Sequence, residues 1–296
     1  MSAFGLVGKA RWYLREADYV RAYLLDARFR GLCKPENSAR YVTYFCYAGL
    51  ANRFRSHFAA SIVAREMNRQ VVPIWLRTMH LESDGSDIFE DNISVAPGGI
   101  PRGYVGLPAS SVIDGGFRSL DKGAQKLIVL NLGSQWLPIR EVSDALSPAS
   151  AIEFKFRPEL VRQANEFTVS LPRPYLAVHI RQTDFLTNKD NYKPMSYYEA
   201  EISAAVQRCE SKGRFRTLLV ASDDRVSVSP AISSLFENIA VLTPEKGRKQ
   251  QGVAEEALVH LLSLGRADEF VGTPRSSFSE FADAMIDGTV RVPGLS

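Results

Sequence analysis

Short runs of apolar residues alternate along the chain with longer segments in which apolar residues recur at helical spacing. In the second half of the chain, strand-like runs cover residues 175–180, 217–221, 239–242 and 269–272. The segments between them carry apolar residues every three or four positions, as amphipathic helices do. Strands that alternate with helices in this way predict an α/β fold with a parallel, Rossmann-like sheet.

The first half of the chain carries a comparable strand–turn–helix–strand pattern. Residues 41–46 and 70–75 read as strands, and a helix that starts near Asn52 lies between them. The predicted inward face of that helix consists of Phe54, Phe58, Ile62, Val63 and Met67. A further strand is predicted at residues 127–132. Because a strand–helix–strand unit joins parallel strands, this half is predicted to form a second Rossmann-like domain.

One long segment of the first half lacks a clear period. Residues 81–116 are rich in Asp, Ser, Gly and Pro. Asp84, Asp87 and Asp91 lie in it, but their spacing does not match that of a calcium-binding loop. The segment is therefore predicted to be an acidic, solvated loop.

The boundary between the two domains is placed where the periodic signal fades. Residues 140–157 show few regular patterns before a helix that begins at Pro158. The sequence therefore predicts one domain at residues 1–150 and another at residues 151–296. Within the second domain, two capping boxes predict helix starts, because each pairs a serine with a glutamate three residues later. These boxes are Ser196 with Glu199 and Ser277 with Glu280.

The first 35 residues mix aromatic and apolar residues with arginine and lysine at helical spacing. One interpretation is a basic amphipathic helix that rests on an anionic membrane surface. The other is an N-terminal helix that packs on the protein with solvated arginines, and Glu16, Asp18 and Asp26 favour it because they dilute the positive face. No apolar run approaches the ~20 residues of a membrane span or forms a signal-peptide core. We therefore expect a cytoplasmic protein, with the inner face of the membrane as the alternative setting.

Composition narrows the function classes only a little. The chain has 296 residues, 45% of them hydrophobic and 23% charged, which is typical of a globular protein. A formal net charge of +3 does not indicate nucleic-acid binding. The three cysteines are Cys33, Cys46 and Cys209, and their wide spacing predicts neither a disulfide framework nor a zinc site. Free thiols of this kind are typical of a reducing compartment.

Polar side chains follow three of the predicted strands of the second domain. They occupy residues 179–184, 222–224 and 273–277. The carboxyl ends of parallel strands meet at one edge of a sheet, where ligands of open α/β sheets bind. Arg181 offers a planar, two-pronged donor for a diphosphate, and the serines of the third loop open a helix whose N–H groups suit a phosphate. Asp223 or Asp224 would accept from a guanine, so the three loops predict a guanosine diphosphate site.

Four stretches resemble the fucosyltransferase superfamily, which includes the α1,6-fucosyltransferases and the protein O-fucosyltransferases. The H-x-R-x-T-D pattern at residues 179–184 is similar to the first donor motif of that superfamily. A-S-D-D at residues 221–224 looks like the A-T-D-D of the α1,6 enzymes. Residues 267–277 resemble their last motif, a strand followed by a Ser-Ser turn. G-L-A-N-R at residues 49–53 resembles the first βαβ turn of the O-fucosyltransferases.

The resemblance covers about residues 41–75 and 172–287, and it carries implications for fold and activity. It implies a GT-B type glycosyltransferase, with the donor held mainly by the C-terminal domain and the acceptor on the side of the N-terminal domain. The implied reaction transfers fucose from GDP-β-L-fucose with inversion to a glycan acceptor that the sequence does not identify. No metal or other cofactor is implied, because an arginine and a helix dipole take the place of a cation.

The resemblance also implies roles for individual residues. Arg181 would act in catalysis, Asp190 is the candidate base for the acceptor hydroxyl, and Asp184 is the second candidate. The implied donor-binding residues are Gly49, Asn52, Arg53, His179, Asp223, Asp224, Arg275, Ser276, Ser277 and Phe278. Gln182 stands where the α1,6 enzymes carry a second arginine, so the diphosphate clamp consists of Arg181 alone or with Arg275 or Arg53.

Two alternatives remain open at this stage. One is a transferase of the same fold that uses another nucleotide sugar. The other is a protein that binds a nucleotide sugar or a glycan without turnover. Binding of a panel of nucleotides distinguishes a transferase with another donor from a fucosyltransferase. A measurement of donor turnover distinguishes an enzyme from a protein that only binds.

Overall fold

The structure, a computed structural model, describes residues 40–46, 48–73, 75, 83, 85–90, 104–108, 110–120, 127–131, 137–146, 151–182, 192–209, 214–224, 227–244 and 252–295. The chain divides into two compact units. The first comprises Met1–Ser86 and Asp91–Pro148, and the second comprises Asp87–Glu90 and Ala149–Ser296. The predicted N-terminal basic helix lies outside the described residues.

The first unit is built on a four-stranded parallel sheet with the order β2-β1-β4-β3. Its strands and helices are β1 (Tyr41–Phe45), α1 (Leu50–Glu66), β2 (Gln70–Val72), β3 (Tyr104–Pro108), α2 (Ser110–Ile113), β4 (Leu127–Asn131) and α3 (Ile139–Leu146), with short 3-10 helices at Gly85–Asp87 and Gly116–Ser119. The chain runs from β1 outward to β2, crosses to the opposite edge of the sheet at β3, and comes back to β4 beside β1. The point where the strand order reverses therefore lies between the carboxyl ends of β1 and β4.

The second unit contains a four-stranded parallel sheet with the order β8-β7-β6-β9 and a two-stranded parallel pair of β5 with β10. Its elements are β5 (Ile152–Glu153), α4 (Pro158–Val169), β6 (Tyr175–Ile180), α5 (Met195–Cys209), β7 (Thr217–Ser222), α6 (Pro230–Ser233), β8 (Asn238–Leu242), α7 (Val253–Leu264), β9 (Glu269–Val271), α8 (Ser277–Ile286) and β10 (Val290–Arg291). Here the strand order reverses between β6 and β9.

The central strands β6 and β7 are buried along their whole length, which explains their nearly continuous apolar sequence. On one face of the sheet, residues of both strands pack against the inner side of α5 and against β9. This cluster includes Val178, Ile180, Ile202, Val220 and Val271. Burial of these side chains fixes the positions at which the two strands end, and so fixes where the polar loops begin.

The predicted α/β fold with parallel sheets is confirmed by this topology. The segment 81–116 was predicted to be a loop, and that prediction was wrong, because β3 and α2 lie in it. The strand is short, lies at the sheet edge, and ends in a proline, so its sequence gives a weak strand signal. The short elements α3 and β5 in the segment 140–157 were likewise missed.

Residues Asp87–Glu90 belong to the second unit, although their position in the sequence assigned them to the first domain. Phe89 pairs with Phe156 in an antiparallel bridge, and their rings stack with centroids 5.5 Å apart. Phe154 extends this aromatic group to Phe281 of α8 at 4.9 Å. A four-residue segment from the first half of the chain thus contributes to the core of the second unit. Sequence periodicity does not reveal such a contribution.

No helix within the described ranges is long and apolar enough to span a membrane.

Candidate functional site

The carboxyl ends of β6 and β9 lie side by side at the point where the strand order of the second sheet reverses. Val178 pairs with Val271 in the parallel register. The residues at and just beyond the two strand ends are therefore neighbours, with His179 and Arg181 on one side and Thr273 on the other. Such reversal points form the crevice in which open α/β sheets bind ligands. The first and third predicted loops are thus brought together.

Thr273 joins the two strand ends through its side chain. Its hydroxyl donates to the carbonyl oxygen of His179 at 2.7 Å and accepts from the backbone N–H of Arg181 at 3.0 Å. The hydroxyl of Tyr198 on α5 lies 3.0 Å from the same oxygen. Because the threonine proton is engaged with the carbonyl group, the Tyr198 hydroxyl is the donor in this last contact.

His179 is a buried, neutral imidazole. Its Nδ1 lies 2.7 Å from Oγ of Ser279, and its ring packs against Phe278 with centroids 4.8 Å apart. Burial, with a smaller contribution from the charge of Arg181, lowers the pKa of His179 to about 3, and Asp223 opposes this shift. His179 therefore presents a neutral ring at the strand end rather than a positive charge.

A tight turn carries the chain from β9 into α8. Ser276 donates its backbone N–H to the carbonyl oxygen of Thr273 at 3.2 Å, and Arg275 has a φ of 62°. With Pro274 before it, this is the pattern of a type II turn, whose third position normally holds glycine. An arginine in the left-handed region costs roughly 1–2 kcal/mol. Such backbone strain is common at functional sites.

Gly272, which precedes this turn, allows α8 to approach the end of β9. A Cβ atom at this position would lie 2.8 Å from Cβ of Ser279 and 2.9 Å from the ring of Phe270. Close packing at this point lets Ser279 accept the backbone N–H of Thr273 at 2.9 Å. The glycine therefore sets the distance between the helix start and the strand ends.

The helix start itself differs from the sequence prediction. The predicted capping box of Ser277 with Glu280 is wrong, because Ser276 is the N-cap residue and Ser277 is the first helical residue. Ser276 makes no side-chain capping hydrogen bond. Its hydroxyl is buried, the residue being 3% exposed, and has no hydrogen-bond partner among the described residues. An orphaned hydroxyl at a helix N-terminus offers a donor to an anion bound there.

The other capping box also fails as a helix start, because α5 begins at Met195, one residue before Ser196. Tyr197 donates its backbone N–H to Pro194 at 3.0 Å, so the first turn is closed by a backbone bond. The buried face of this helix includes Ile202, Ala205 and Cys209.

The second predicted loop follows β7 and contacts the first one. Asp223 accepts the backbone N–H of Gln182 at 2.8 Å through Oδ1. Asp224 is exposed, and its backbone N–H donates to the hydroxyl of Ser222 at 3.3 Å. The loops after β6 and β7 are therefore held together, and Asp223 is oriented by this bond while Asp224 faces solvent.

In the first unit, the turn between β1 and α1 lies at the other reversal point. Gly49 is the N-cap residue of α1, with a φ of −65°, and a Cβ atom added there would meet no atom within 4 Å. Asn52 lies in the first turn of the helix, where its Oδ1 accepts from Arg55 at 3.4 Å. The space above Gly49 is open, and the helix start faces it without a side-chain cap.

Arg53, which was predicted to bind the donor, is fully buried. Its Nε donates to the carbonyl oxygen of Ala48 at 2.8 Å, and its guanidinium lies over the ring of Trp75 at 5.4 Å from the centroid. The indole N–H of Trp75 in turn bonds to the hydroxyl of Tyr44. These contacts hold the turn from its inner side, and binding of the donor by Arg53 stays a prediction.

The two candidate bases, Asp184 and Asp190, lie outside the described residues. Three contributors to the site were not assigned from sequence, namely Gly272, Ser279 and Tyr198. A tyrosine on the apolar face of a predicted helix is a usable signal, because its buried hydroxyl needs a partner. No local pattern pairs Ser279 with His179, since they are 100 residues apart along the chain. Within the described residues, no group of three or more His, Cys, Asp or Glu side chains is placed to hold a metal ion.

Comparison of the fold with solved structures aligns most of the chain with fucosyltransferases. NodZ alpha-1,6-fucosyltransferase soaked with GDP-fucose matches with a TM-score of 0.50 and 16% identity, covering 84% of this chain and 93% of that one. POFUT1 in complex with GDP-fucose matches with a TM-score of 0.52 and 14% identity, covering 88% and 97%. POFUT1 in complex with GDP matches with a TM-score of 0.52 and 13% identity, covering 86% and 97%.

No family model matches the sequence, and no curated protein does. At 13–16% identity the likeness to NodZ and POFUT1 concerns the fold. The resemblance to the fucosyltransferase superfamily that the motifs predicted is thereby confirmed at the level of fold.

Proposed function

We propose that the chain is a glycosyltransferase that binds GDP-fucose and transfers its fucosyl group, with inversion, to a glycan acceptor. The fold likeness to NodZ and POFUT1, structures that contain GDP-fucose or GDP, supports the reaction class. The observation that carries the proposal is the buried, unpartnered hydroxyl of Ser276 at the start of α8. Thr273 is hydrogen-bonded both to the backbone N–H of Arg181 and to the backbone N–H of Ser276. Arg181 and the start of α8 therefore lie at the same edge of the sheet.

The diphosphate of the donor would bind at the start of α8. Helix N-termini attract phosphates because their N–H groups are free to donate and the dipole is positive there. The Ser276 hydroxyl adds one donor, and the guanidinium of Arg181 adds two in a planar fork. Arg275 is an exposed residue of the turn that precedes Ser276 and is the second candidate arginine for the diphosphate.

Guanine recognition is assigned to the loop after β7. A carboxylate accepts from N1–H and N2–H of guanine, and uracil, adenine and cytosine do not present that pair of donors. Asp223 is already oriented by the backbone N–H of Gln182. The exposed Asp224 is the alternative acceptor. This assignment is what makes GDP the expected nucleotide rather than UDP, ADP or CMP.

The proposed chemistry follows from this placement. The bond between fucose C1 and the β-phosphate oxygen breaks, and the acceptor oxygen forms a bond to C1 from the opposite face. Negative charge grows on the departing β-phosphate, and Arg181 with the α8 start stabilises this charge more than the ground state. Loss of one such preorganised donor raises the barrier by about 3–4 kcal/mol. GDP leaves as the second product.

The acceptor hydroxyl loses its proton in the same step, and a carboxylate is proposed to accept it. Asp190 is the first candidate for this base and Asp184 the second, and both follow β6 in the sequence. His179 is not assigned this role, because its Nδ1 is engaged with Ser279 and its ring packs against Phe278. Catalysis is proposed to need no metal, since Arg181 and the helix dipole provide the positive charge.

Nucleotide binding tests the proposal first. Calorimetric titration of GDP, UDP, ADP and CMP, in the presence of a chelator, is expected to show selective GDP binding by the wild type. Arg181→Ala is expected to lower GDP affinity at least tenfold, which corresponds to about 1.4 kcal/mol. Arg216→Ala is the matched control, because Arg216 precedes β7 at the opposite end of the same sheet and pairs with Glu237.

The outcomes separate the proposal from its rivals. Preference for another nucleotide would indicate a nucleotide sugar other than GDP-fucose as the donor. GDP binding that is unchanged by Arg181→Ala would contradict the assigned diphosphate site. GDP-fucose hydrolysis or transfer, followed by GDP release, distinguishes an enzyme from a protein that only binds the nucleotide sugar. The N-terminal segment and its contact with an anionic membrane surface stay a prediction.

A further inference from the structure

We infer that Thr273, Tyr198 and Ser279 form a positioning cluster. The cluster fixes the main chain and the ring of His179 at the end of β6, and so holds the backbone of Arg181 in the geometry required to bind the donor diphosphate. None of the three is assigned contact with the ligand. The inference rests on the proposed function, because it states how that site is held in place.

The hydroxyl of Thr273 uses its full hydrogen-bonding capacity. A hydroxyl has one proton to donate and two lone pairs to accept. The proton goes to the carbonyl oxygen of His179 at 2.7 Å. The lone pairs accept from the backbone N–H of Arg181 at 3.0 Å and from the hydroxyl of Tyr198 at 3.0 Å. One side chain thus binds both peptide groups that flank Ile180.

Ser279 closes a ring of hydrogen bonds. Its Oγ accepts the backbone N–H of Thr273 at 2.9 Å and lies 2.7 Å from Nδ1 of His179. His179 is therefore held at its carbonyl oxygen by Thr273 and at its ring by Ser279. Since Ser279 lies in the first turn of α8, the ring also fixes the helix start relative to the end of β6.

The side chains that form these hydrogen bonds are buried, so water does not compete for their polar groups. Thr273 is 2% exposed, Tyr198 is fully buried, and Ser279 and His179 are each 5% exposed. In such surroundings an intact network is rigid, and a broken one leaves polar groups unsatisfied. Burial also raises the pKa of Tyr198, so its hydroxyl keeps the proton that it donates to Thr273.

The location of the cluster indicates positioning rather than stability alone. It lies at the strand-order reversal between β6 and β9, and its acceptor oxygen holds the main chain at the base of the Arg181 side chain. A displacement of about 1 Å in a binding group is enough to lower catalysis by two orders of magnitude. At the opposite end of the sheet, Thr217 makes a simpler bond, from its hydroxyl to the carbonyl oxygen of Pro172 at 2.8 Å.

Thr217 supplies a matched control for the test. Thr273→Val and Thr217→Val both replace a buried threonine by an isosteric apolar residue, so both are expected to lower thermal stability. Only Thr273→Val is expected to raise the dissociation constant for GDP, by roughly tenfold, with Thr273→Ser restoring it to within about threefold. Tyr198→Phe removes one of the three hydrogen bonds of the Thr273 hydroxyl and is expected to raise the dissociation constant for GDP by a smaller factor. This variant provides the test if Thr273→Val does not fold.

A second readout needs no ligand. Amide hydrogen exchange, followed residue by residue by NMR, is expected to show protection of the Arg181 N–H in wild type and Thr217→Val and loss of it in Thr273→Val. An unprotected Arg181 amide in the wild type would overturn the cluster itself. Lost protection with unchanged GDP affinity would overturn the positioning role. A wild type with a protected amide that binds no GDP would overturn the proposed function, and the positioning role with it.

Discussion

Oγ of Ser279 lies 2.7 Å from Nδ1 of His179, and both side chains are buried. Burial lowers the pKa of His179 to about 3, from an ordinary value of about 6.5. Between these two values the unfolded chain binds a proton at this residue and the folded chain does not. Stability should therefore fall as the pH falls below 6.5, by about 1.4 kcal/mol per pH unit for one histidine.

His179→Gln removes this titration. Urea unfolding at pH 6, 5 and 4 is expected to show a pH dependence shallower than that of the wild type by about 1.4 kcal/mol per pH unit. His57 in the first unit has its pKa lowered to about 3 by burial, so His57→Gln is expected to have an effect of the same sign. Equal slopes for the wild type and His179→Gln would show that His179 is protonated in the folded protein.

The Ser276 hydroxyl gives a prediction in which stability and binding move in opposite directions. Since this buried oxygen has no partner, Ser276→Ala removes an unsatisfied polar group and loses no capping bond. We expect the unliganded protein to be as stable as the wild type or more stable by about 1 kcal/mol. GDP affinity is expected to fall roughly tenfold, because a hydrogen bond to the phosphate is lost.

Ser229 is the control for this experiment. It is the N-cap residue of α6, and its side chain accepts the backbone N–H of Ile232 at 3.4 Å. Ser229→Ala is therefore expected to lower stability by about 1 kcal/mol without a change in GDP affinity. Denaturation curves and calorimetry on both variants give the comparison. A loss of stability in Ser276→Ala comparable to that in Ser229→Ala would mean that the hydroxyl is satisfied within the protein.

The sequence was informative where local pattern and burial agree. The central strand β6 is apolar along its length because both of its faces are covered, so its position and its polar end could be predicted. Parallel topology then follows from the alternation with helices, and it places the polar loops at one edge. The short edge strand β3 could not be predicted, because five residues that end in a proline carry little periodic signal.

At the site, the sequence identified residue types and missed how they are connected. The Ser-Ser turn before α8 was recognised, but the capping residue was placed one position too late, because Ser277 with Glu280 matches a capping box. Ser276 is the N-cap residue and follows Arg275, whose φ is 62°, and this turn geometry is not visible in the sequence. The contact of Arg53 with Trp75 could not be predicted, because it depends on tertiary structure.

Arg275 allows charge and backbone conformation to be separated. Arg275→Asn keeps a residue that tolerates the left-handed φ of 62°, and Arg275→Lys keeps the positive charge. If the guanidinium binds the diphosphate, Arg275→Asn should lower GDP affinity by about tenfold while the melting temperature is unchanged or higher. Arg275→Lys should retain more of the affinity and show stronger dependence on salt. Unchanged affinity in both variants would leave Arg181 as the only arginine of the clamp.

A methyl group added at Gly49 would meet open space, whereas one added at Gly272 would meet packed atoms. Alanine substitutions at the two glycines are therefore expected to differ in their effect on stability. At Gly49 the φ is −65° and a Cβ atom meets open space, so Gly49→Ala should fold with a loss of about 1 kcal/mol or less. At Gly272 the Cβ atom would lie 2.8 Å from Ser279, so Gly272→Ala should lower stability by roughly 1–3 kcal/mol.

Donor binding by these two variants then shows whether a ligand approaches the turn. If the open space above Gly49 receives part of the donor, Gly49→Ala should weaken GDP-fucose binding at least tenfold in a fully folded protein, since the methyl group occupies that space. Ala51 is a buried residue in the first turn of α1, and Ala51→Ser controls for a general effect of substitution in this region. Calorimetry with GDP-fucose and GDP separates a contact with the sugar from one with the nucleotide. Full affinity of Gly49→Ala for both ligands would exclude direct contact of the donor with Gly49.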